Sequence, residues 1–92
     1  MKILWSSAAW ADVDRLHAFL AGHDLDAADA AAYKLANAPA ALLSFPRRGS
    51  PLSDFAPREV REYRVGNYLL RYEVAGAEIF VLRFFHARED RF

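Results

Sequence analysis

The 92-residue chain contains no cysteine and only one methionine, four glycines and four prolines. Without cysteine there is no disulfide framework, no thiol nucleophile and no thiolate metal site. That lack suits the cytoplasm, where we expect the protein to reside, although many exported proteins also do without cysteine. Long hydrophobic runs are missing too. The opening MKILWSSAAWADVDR turns polar after a four-residue apolar span, so it reads as neither a signal peptide nor a membrane span. No His/Asp/Glu spacing suggests a metal site, and no glycine-rich phosphate loop follows a strand, so neither metal nor cofactor is expected.

Lysine is scarce, with only Lys2 and Lys34. Residues 1–46 carry three basic and five acidic side chains, whereas residues 47–92 carry nine arginines, seven acids and no lysine. Arginine offers a rigid fork to carboxylate or phosphate, but GC-rich coding, which also favours the many alanines, produces the same bias. The formal net charge is zero. This balance favours neither nonspecific nucleic-acid binding nor direct sequence-specific contact with DNA. A chain of this length makes one domain, 1–92, and buries about 60–65% of its unfolded surface, so a partner could add useful burial.

Periodicity divides the chain at Pro46. KILW reads as a first strand, and Ser7 as the cap of a helix on which Trp10, Val13, Leu16 or His17, and Leu20 recur at helical spacing. Phe19 widens that stripe, Asp12 lies toward the favourable end of the helix dipole, and Gly22 ends the run. Asp24 or Asp26 then caps a second helix with Ala28, Ala31, Leu35, Ala38 and Leu42 on roughly one face. Pro39 either kinks this helix or follows an Asn37 cap that starts a new short one; we expect a bent continuous helix. The segment PRRGSPLSDFAP cannot form a helix or a central strand. Three strand-like segments follow, joined by turns at GN and AGAE. The expected elements are strands near 2–5, 60–65, 68–74 and 78–86, with helices near 8–21 and 25–44. The order is β-α-α-β-β-β: an α+β fold, a small sheet with a helical hairpin packed against it.

Simple alternation places Tyr68, Leu70, Tyr72 and Val74 on one face of the second strand of this meander, opposite Leu69, Arg71 and Glu73. On the last strand it groups Ile79, Val81, Arg83 and Phe85 against Phe80, Leu82, Phe84 and His86. Both faces are largely apolar, and one helical hairpin covers only one of them. We expect another chain to cover the second face; the alternative is that the PRRGSPLSDF loop folds across it.

The helical hairpin, FPRRGSPL before the sheet, VREYRVGNYLLRYEV and the closing IFVLRFFHARED occur in an order that resembles the RelE/ParE toxin superfamily of type II toxin–antitoxin systems. The resemblance covers nearly the whole chain and is closer to the ParE branch. It implies a RelE/ParE-like fold, a small antiparallel sheet against an N-terminal helical hairpin. It also implies a compact toxin held inactive by a cognate antitoxin, whose extended or helical segment packs along the toxin's sheet and helices. RelE-like members cut mRNA on the ribosome; ParE-like members poison DNA gyrase and are associated with plasmid stabilisation and growth arrest.

RNA cleavage through the ribose 2′-hydroxyl requires proton transfer and cationic stabilisation of a charged phosphorane. Arg61, in the VRE step, with Arg83 and His86, in the LR…H step, match family positions and are the candidates if the protein is a nuclease. Against that reading stand the two lysines outside the sheet region, the absence of a tyrosine near the end at Phe92, and Glu89 where a second arginine is common. We therefore expect a gyrase-binding toxin without catalytic residues; a ribosome-dependent nuclease and a non-toxic antitoxin binder are the alternatives. Arg47 and Arg48 in the proline-bounded loop, with Arg61 and Arg88, are the candidate target-binding residues. Phe80, Val81, Arg83, Phe84 and Phe85 are the candidate antitoxin-binding residues. Each also has a structural reading: Arg61 is close to Glu59 and Glu62, Arg83 suits a packed ion pair, and a lone strand-end histidine such as His86 usually serves structure. Tyr72 reads as core, and His17 and His23 carry no sign of a partner.

Overall fold

A computed structural model describes residues 1–89; Asp90, Arg91 and Phe92 of the closing stretch lie outside the described residues. Strand β1, Lys2–Trp5, leads into helix α1, Ser7–Ala21, and helix α2, Leu25–Asn37. A 3-10 helix, Ala38–Leu42, precedes the short strand β2, Ser50–Pro51. A second 3-10 turn, Ser53–Phe55, precedes the meander β3, Val60–Val65, β4, Tyr68–Ala75, and β5, Glu78–His86.

The strands form one sheet in the order β1-β5-β4-β3-β2. All neighbours are antiparallel except β1, which runs parallel to β5, so the sheet is mixed where a wholly antiparallel one was expected. The two hairpins close tightly because Gly66 and Gly76 each supply φ near +60°, the conformation a side chain resists at the first residue of such turns.

Two local expectations change, and the choice between Asp24 and Asp26 is decided. Ser6, rather than Ser7, caps α1: its side chain accepts the Ala9 N–H at 3.0 Å. Asp24 caps α2, accepting the Ala27 N–H at 3.1 Å. The bent continuous helix is replaced by an α-to-3-10 transition. Pro39 has no N–H to continue the α pattern, and the Ala38 N–H instead closes a tighter turn onto Leu35 O.

The core lies between the helical hairpin and one sheet face. Ala9, Val13 and Leu16 of α1 and Leu35 of α2 meet Leu70, Tyr72, Val74, Ile79, Val81 and Phe84. Each large apolar side chain fully buried there contributes about 1.5–3 kcal/mol of transfer free energy. Trp10 and Phe19, expected in the buried stripe, are exposed, and Trp10 instead stacks on Trp5 with ring centroids 4.1 Å apart. Asp12 occupies the buried stripe beside Val13 and Leu16.

The last strand departs from simple alternation. Tyr72 pairs with Val81 while Arg71 pairs with Arg83, leaving Leu82 as the extra residue of a β-bulge. The bulge reverses the phase of β5 halfway along. Ile79, Val81 and Phe84 therefore all enter the core, whereas Arg83 and Phe85 lie across from Arg71 and Leu69 on the opposite, outer face.

Candidate functional site

β1 stops at Trp5, so the second half of β5 loses its strand partner on that side, and α1 takes over. The Ser6 backbone N–H donates to Val81 O at 2.9 Å, and Ser6 Oγ donates to Leu82 O at 2.8 Å. Asp12 Oδ2 accepts the Phe84 N–H at 2.9 Å. These contacts satisfy backbone groups that would otherwise stand unpaired at a buried edge.

Arg83 completes this arrangement. Its Nε donates to Asp12 Oδ2 at 2.7 Å and its Nη2 to Asp12 Oδ1 at 2.9 Å. Arg15 bridges Asp12 and Glu89, donating at 3.3 and 2.6 Å. Burial alone would raise the Asp12 pKa, but the Arg83 hydrogen bond, the Phe84 N–H and Arg15 outweigh it and hold the carboxyl below its ordinary range. The Arg83 guanidinium is correspondingly held further in its charged form, chiefly by its hydrogen bond to Asp12. Sequence reasoning allowed Arg83 a packed ion pair but did not identify Asp12 as its partner, although the signal was present. Asp12 on an apolar helix stripe and Arg83 on an apolar strand each break the pattern, and each supplies the charge that the other requires.

Among the five candidate antitoxin residues, Val81 and Phe84 are fully buried and Phe85 is 4% exposed. They are interior residues of the folded chain, because the bulge and the chain's own cover remove them from the surface. Phe80 and Arg83 remain partly accessible. The long loop supplies part of the outer-face cover that was expected from another chain: the Arg71 guanidinium lies 5.3 Å from the Phe55 ring centroid and 5.1 Å from that of Phe85. Arg71 pairs with Glu62 at 3.2 Å, while its buried Nε donor has no acceptor among the described residues.

The candidate target-binding arginines occupy two regions. Arg61 reaches from β3 under the loop, donating from Nη1 to Gly49 O at 2.7 Å and from Nε to Glu59 at 2.9 Å. Arg47 grips the same Glu59 carboxylate, with Nε at 2.8 Å and Nη2 at 2.9 Å. Hydrogen bonds from Arg47 and then Arg61 lower the Glu59 pKa. Tyr72 proves to be core, as its strand position indicated, and its buried hydroxyl also ties the loop by accepting the Gly49 N–H at 2.9 Å and donating to Pro46 O at 2.7 Å. Burial raises the Tyr72 pKa, with the Gly49 hydrogen bond pulling the other way. Arg48 is exposed over Phe45 and Tyr63. Arg88 is exposed at the far tip, where its backbone N–H donates to His86 Nδ1 at 3.2 Å.

Arg61, Arg83 and His86 do not converge. In the sheet register His86 aligns through Tyr68 with Val65, four residues along β3 from Arg61, a separation of about 13 Å along the strand. Arg61 shares the face of Tyr72, whereas Arg83 lies opposite Arg71 on the other face. His86 packs edge-on against Tyr68 at 5.5 Å. The two hairpin histidines have partners that the sequence did not signal: His17 Nε2 lies 2.8 Å from Asp29 Oδ1, and His23 Nδ1 lies 3.4 Å from Phe19 O. Among the described residues no group of three or more His, Cys, Asp or Glu side chains could hold a metal ion, and no helix is long and apolar enough to cross a membrane.

Residues 3–91 match the family model described as ParE toxin of type II toxin–antitoxin system, parDE. No curated protein matches the chain by sequence. The fold is similar to that of a chain from a solved structure described as the chromosomal ParDE TA system from P. aeruginosa. Its TM-score is 0.78 and identity 21%, with 94% of this chain and 95% of that chain covered. Family model, strand order and helical hairpin agree: the chain belongs to the ParE toxin family of type II toxin–antitoxin systems.

Proposed function

We propose that this toxin acts by binding DNA gyrase, without catalysing a reaction of its own, and that a cognate antitoxin neutralises it in the cytoplasm. The commitment of Arg61 and Arg83 to the fold supports binding over RNA cleavage. Arg61 anchors the loop through Gly49 O and Glu59, and Arg83 neutralises the buried Asp12. A nuclease would need such cations directed at a phosphate and placed beside a proton-transfer group. The half-buried Phe80 and Arg83 on β5 are the antitoxin contacts in this reading, and Arg47, Arg48 and Arg88 face the target.

Purified toxin is expected to inhibit gyrase supercoiling in the absence of ribosomes and to leave translating mRNA uncut. His86→Gln is expected to preserve that inhibition. Ribosome-dependent cleavage with normal supercoiling would instead identify an mRNA endonuclease. Folded protein with neither activity would identify a relative that only binds an antitoxin.

A further inference from the structure

The loop between the 3-10 helix at 38–42 and β2 displays large side chains outward while being tied down from beneath. Phe45 is 63% exposed. Below it, the Tyr72 hydroxyl binds both Gly49 N–H and Pro46 O, and Arg61 Nη1 reaches Gly49 O and, at 3.4 Å, Arg47 O. Gly49 permits this close approach, since a Cβ there would lie 2.8 Å from Tyr72 Oη and 2.9 Å from Glu62 O. A loop held in this way has little conformational freedom left to lose on binding.

Above these anchors, the Arg48 guanidinium lies 5.3 Å from the Phe45 ring centroid and 5.6 Å from that of Tyr63. Its Nη1 also donates to Tyr63 Oη at 3.3 Å. Arg47 and Arg61 are neutralised by Glu59, but Arg48 forms no ion pair among the described residues. An exposed aromatic ring beside an arginine without a carboxylate partner has the composition of a protein-binding hot spot. An open groove continues from Arg48 past Tyr63 to Arg64 and Leu69.

We propose that Phe45, Arg48 and Tyr63 form the platform by which this toxin grips its protein target, and that the target presents a carboxylate beside an apolar side chain. The carboxylate supplies the ion pair that Arg48 lacks, and the apolar group covers Phe45. Covering the exposed Phe45 ring calls for an apolar side chain, which a protein supplies and a phosphate backbone does not, and this favours a protein occupant. Tyr72 and Arg61 are positioning residues for this platform. The inference rests on the reading that the toxin acts by binding, and it places target contact on the β2–β3 side of the sheet, two strands away from β5.

The test uses the full chain and its cognate antitoxin. Phe45→Ala and Arg48→Glu are compared with wild type for growth arrest on controlled expression, for supercoiling inhibition and for antitoxin affinity, with folding checked by circular dichroism. Both variants are expected to weaken growth arrest about 10- to 100-fold while changing antitoxin affinity less than about 2-fold. Arg48→Lys should recover only part of the loss, because it keeps the charge without the planar fork. Tyr72→Phe should accelerate hydrogen exchange of the Gly49 amide and weaken growth arrest to a smaller degree. Full growth arrest by folded Phe45→Ala and Arg48→Glu would overturn the proposal, as would loss of antitoxin binding in place of target action. Failure of wild type to arrest growth would also overturn it, as would loss of ribosome-dependent mRNA cleavage in Arg48→Glu. If wild type arrests growth without inhibiting supercoiling, gyrase is the wrong target, and the two platform variants still decide the docking surface through growth arrest.

Discussion

Asp12 and Arg83 stand 71 positions apart in the sequence and meet in a two-pronged ion pair of 2.7 and 2.9 Å. The same Asp12 carboxylate accepts the Phe84 backbone N–H, so one side chain neutralises a cation and extends the ladder of β5 beyond the end of β1. Asp12→Ala removes both functions. It is expected to cost about 2–4 kcal/mol of stability, less than a fully buried pair would because the Arg83 side chain is 40% exposed. Asp12→Asn retains an acceptor for Phe84 and should cost less. Urea denaturation of the two variants checks the ordering.

The lowered Asp12 pKa implies acid sensitivity of definite sign. The unfolded chain binds this proton more tightly than the folded chain, so the contribution of Asp12 is fully present above the unfolded value of about 3.9. It is lost as pH falls through the folded value. Stability measured from about pH 6 to pH 2 should fall less steeply below about pH 4 in Asp12→Asn than in wild type. Parallel curves would show that Asp12 titrates alike in both states.

Gly49 and Tyr72 provide a coupling test. Gly49→Ala forces a Cβ against Tyr72 Oη and Glu62 O, at an expected cost of about 1–3 kcal/mol. Tyr72→Phe removes the hydroxyl and leaves Gly49 N–H without that acceptor, at about 1–2 kcal/mol. Because the hydroxyl is one of the clashing atoms, the double variant should be more stable than the sum of the single costs predicts. Thermal or urea unfolding of the four proteins in this cycle measures the coupling.

Phe80 and Phe84 are four residues apart on one strand and should behave differently. Phe84 is fully buried, so Phe84→Ala should destabilise the toxin by about 3–5 kcal/mol. Phe80 lies on the outer face opposite Glu73 and is half-buried. If the antitoxin covers this strand, Phe80→Ala should weaken antitoxin binding with a smaller loss of stability. Calorimetric titration beside denaturation separates the two effects.

The sequence by itself determined the elements and the family. Helical spacing before Pro46 and alternation after it placed α1, the start of α2 and strands β1, β3, β4 and β5 within a few residues, because those periods report which side chains share a face. The switch to a 3-10 helix at Ala38 and the short edge strand β2 went unread. The arginine-rich loop and the closing strand were legible as candidate surfaces for the same reason. Tertiary structure decided which residues reach those surfaces. A one-residue bulge at Leu82 moved Phe84 into the core, a change of phase that apolar residues on both faces conceal. The pairing of Asp12 with Arg83 depended on where β1 ends alongside α1, and the hold of Tyr72 on Gly49 depended on loop closure across 23 residues. Such contacts arise from packing between distant segments, whereas local periodicity records only the face on which each residue begins.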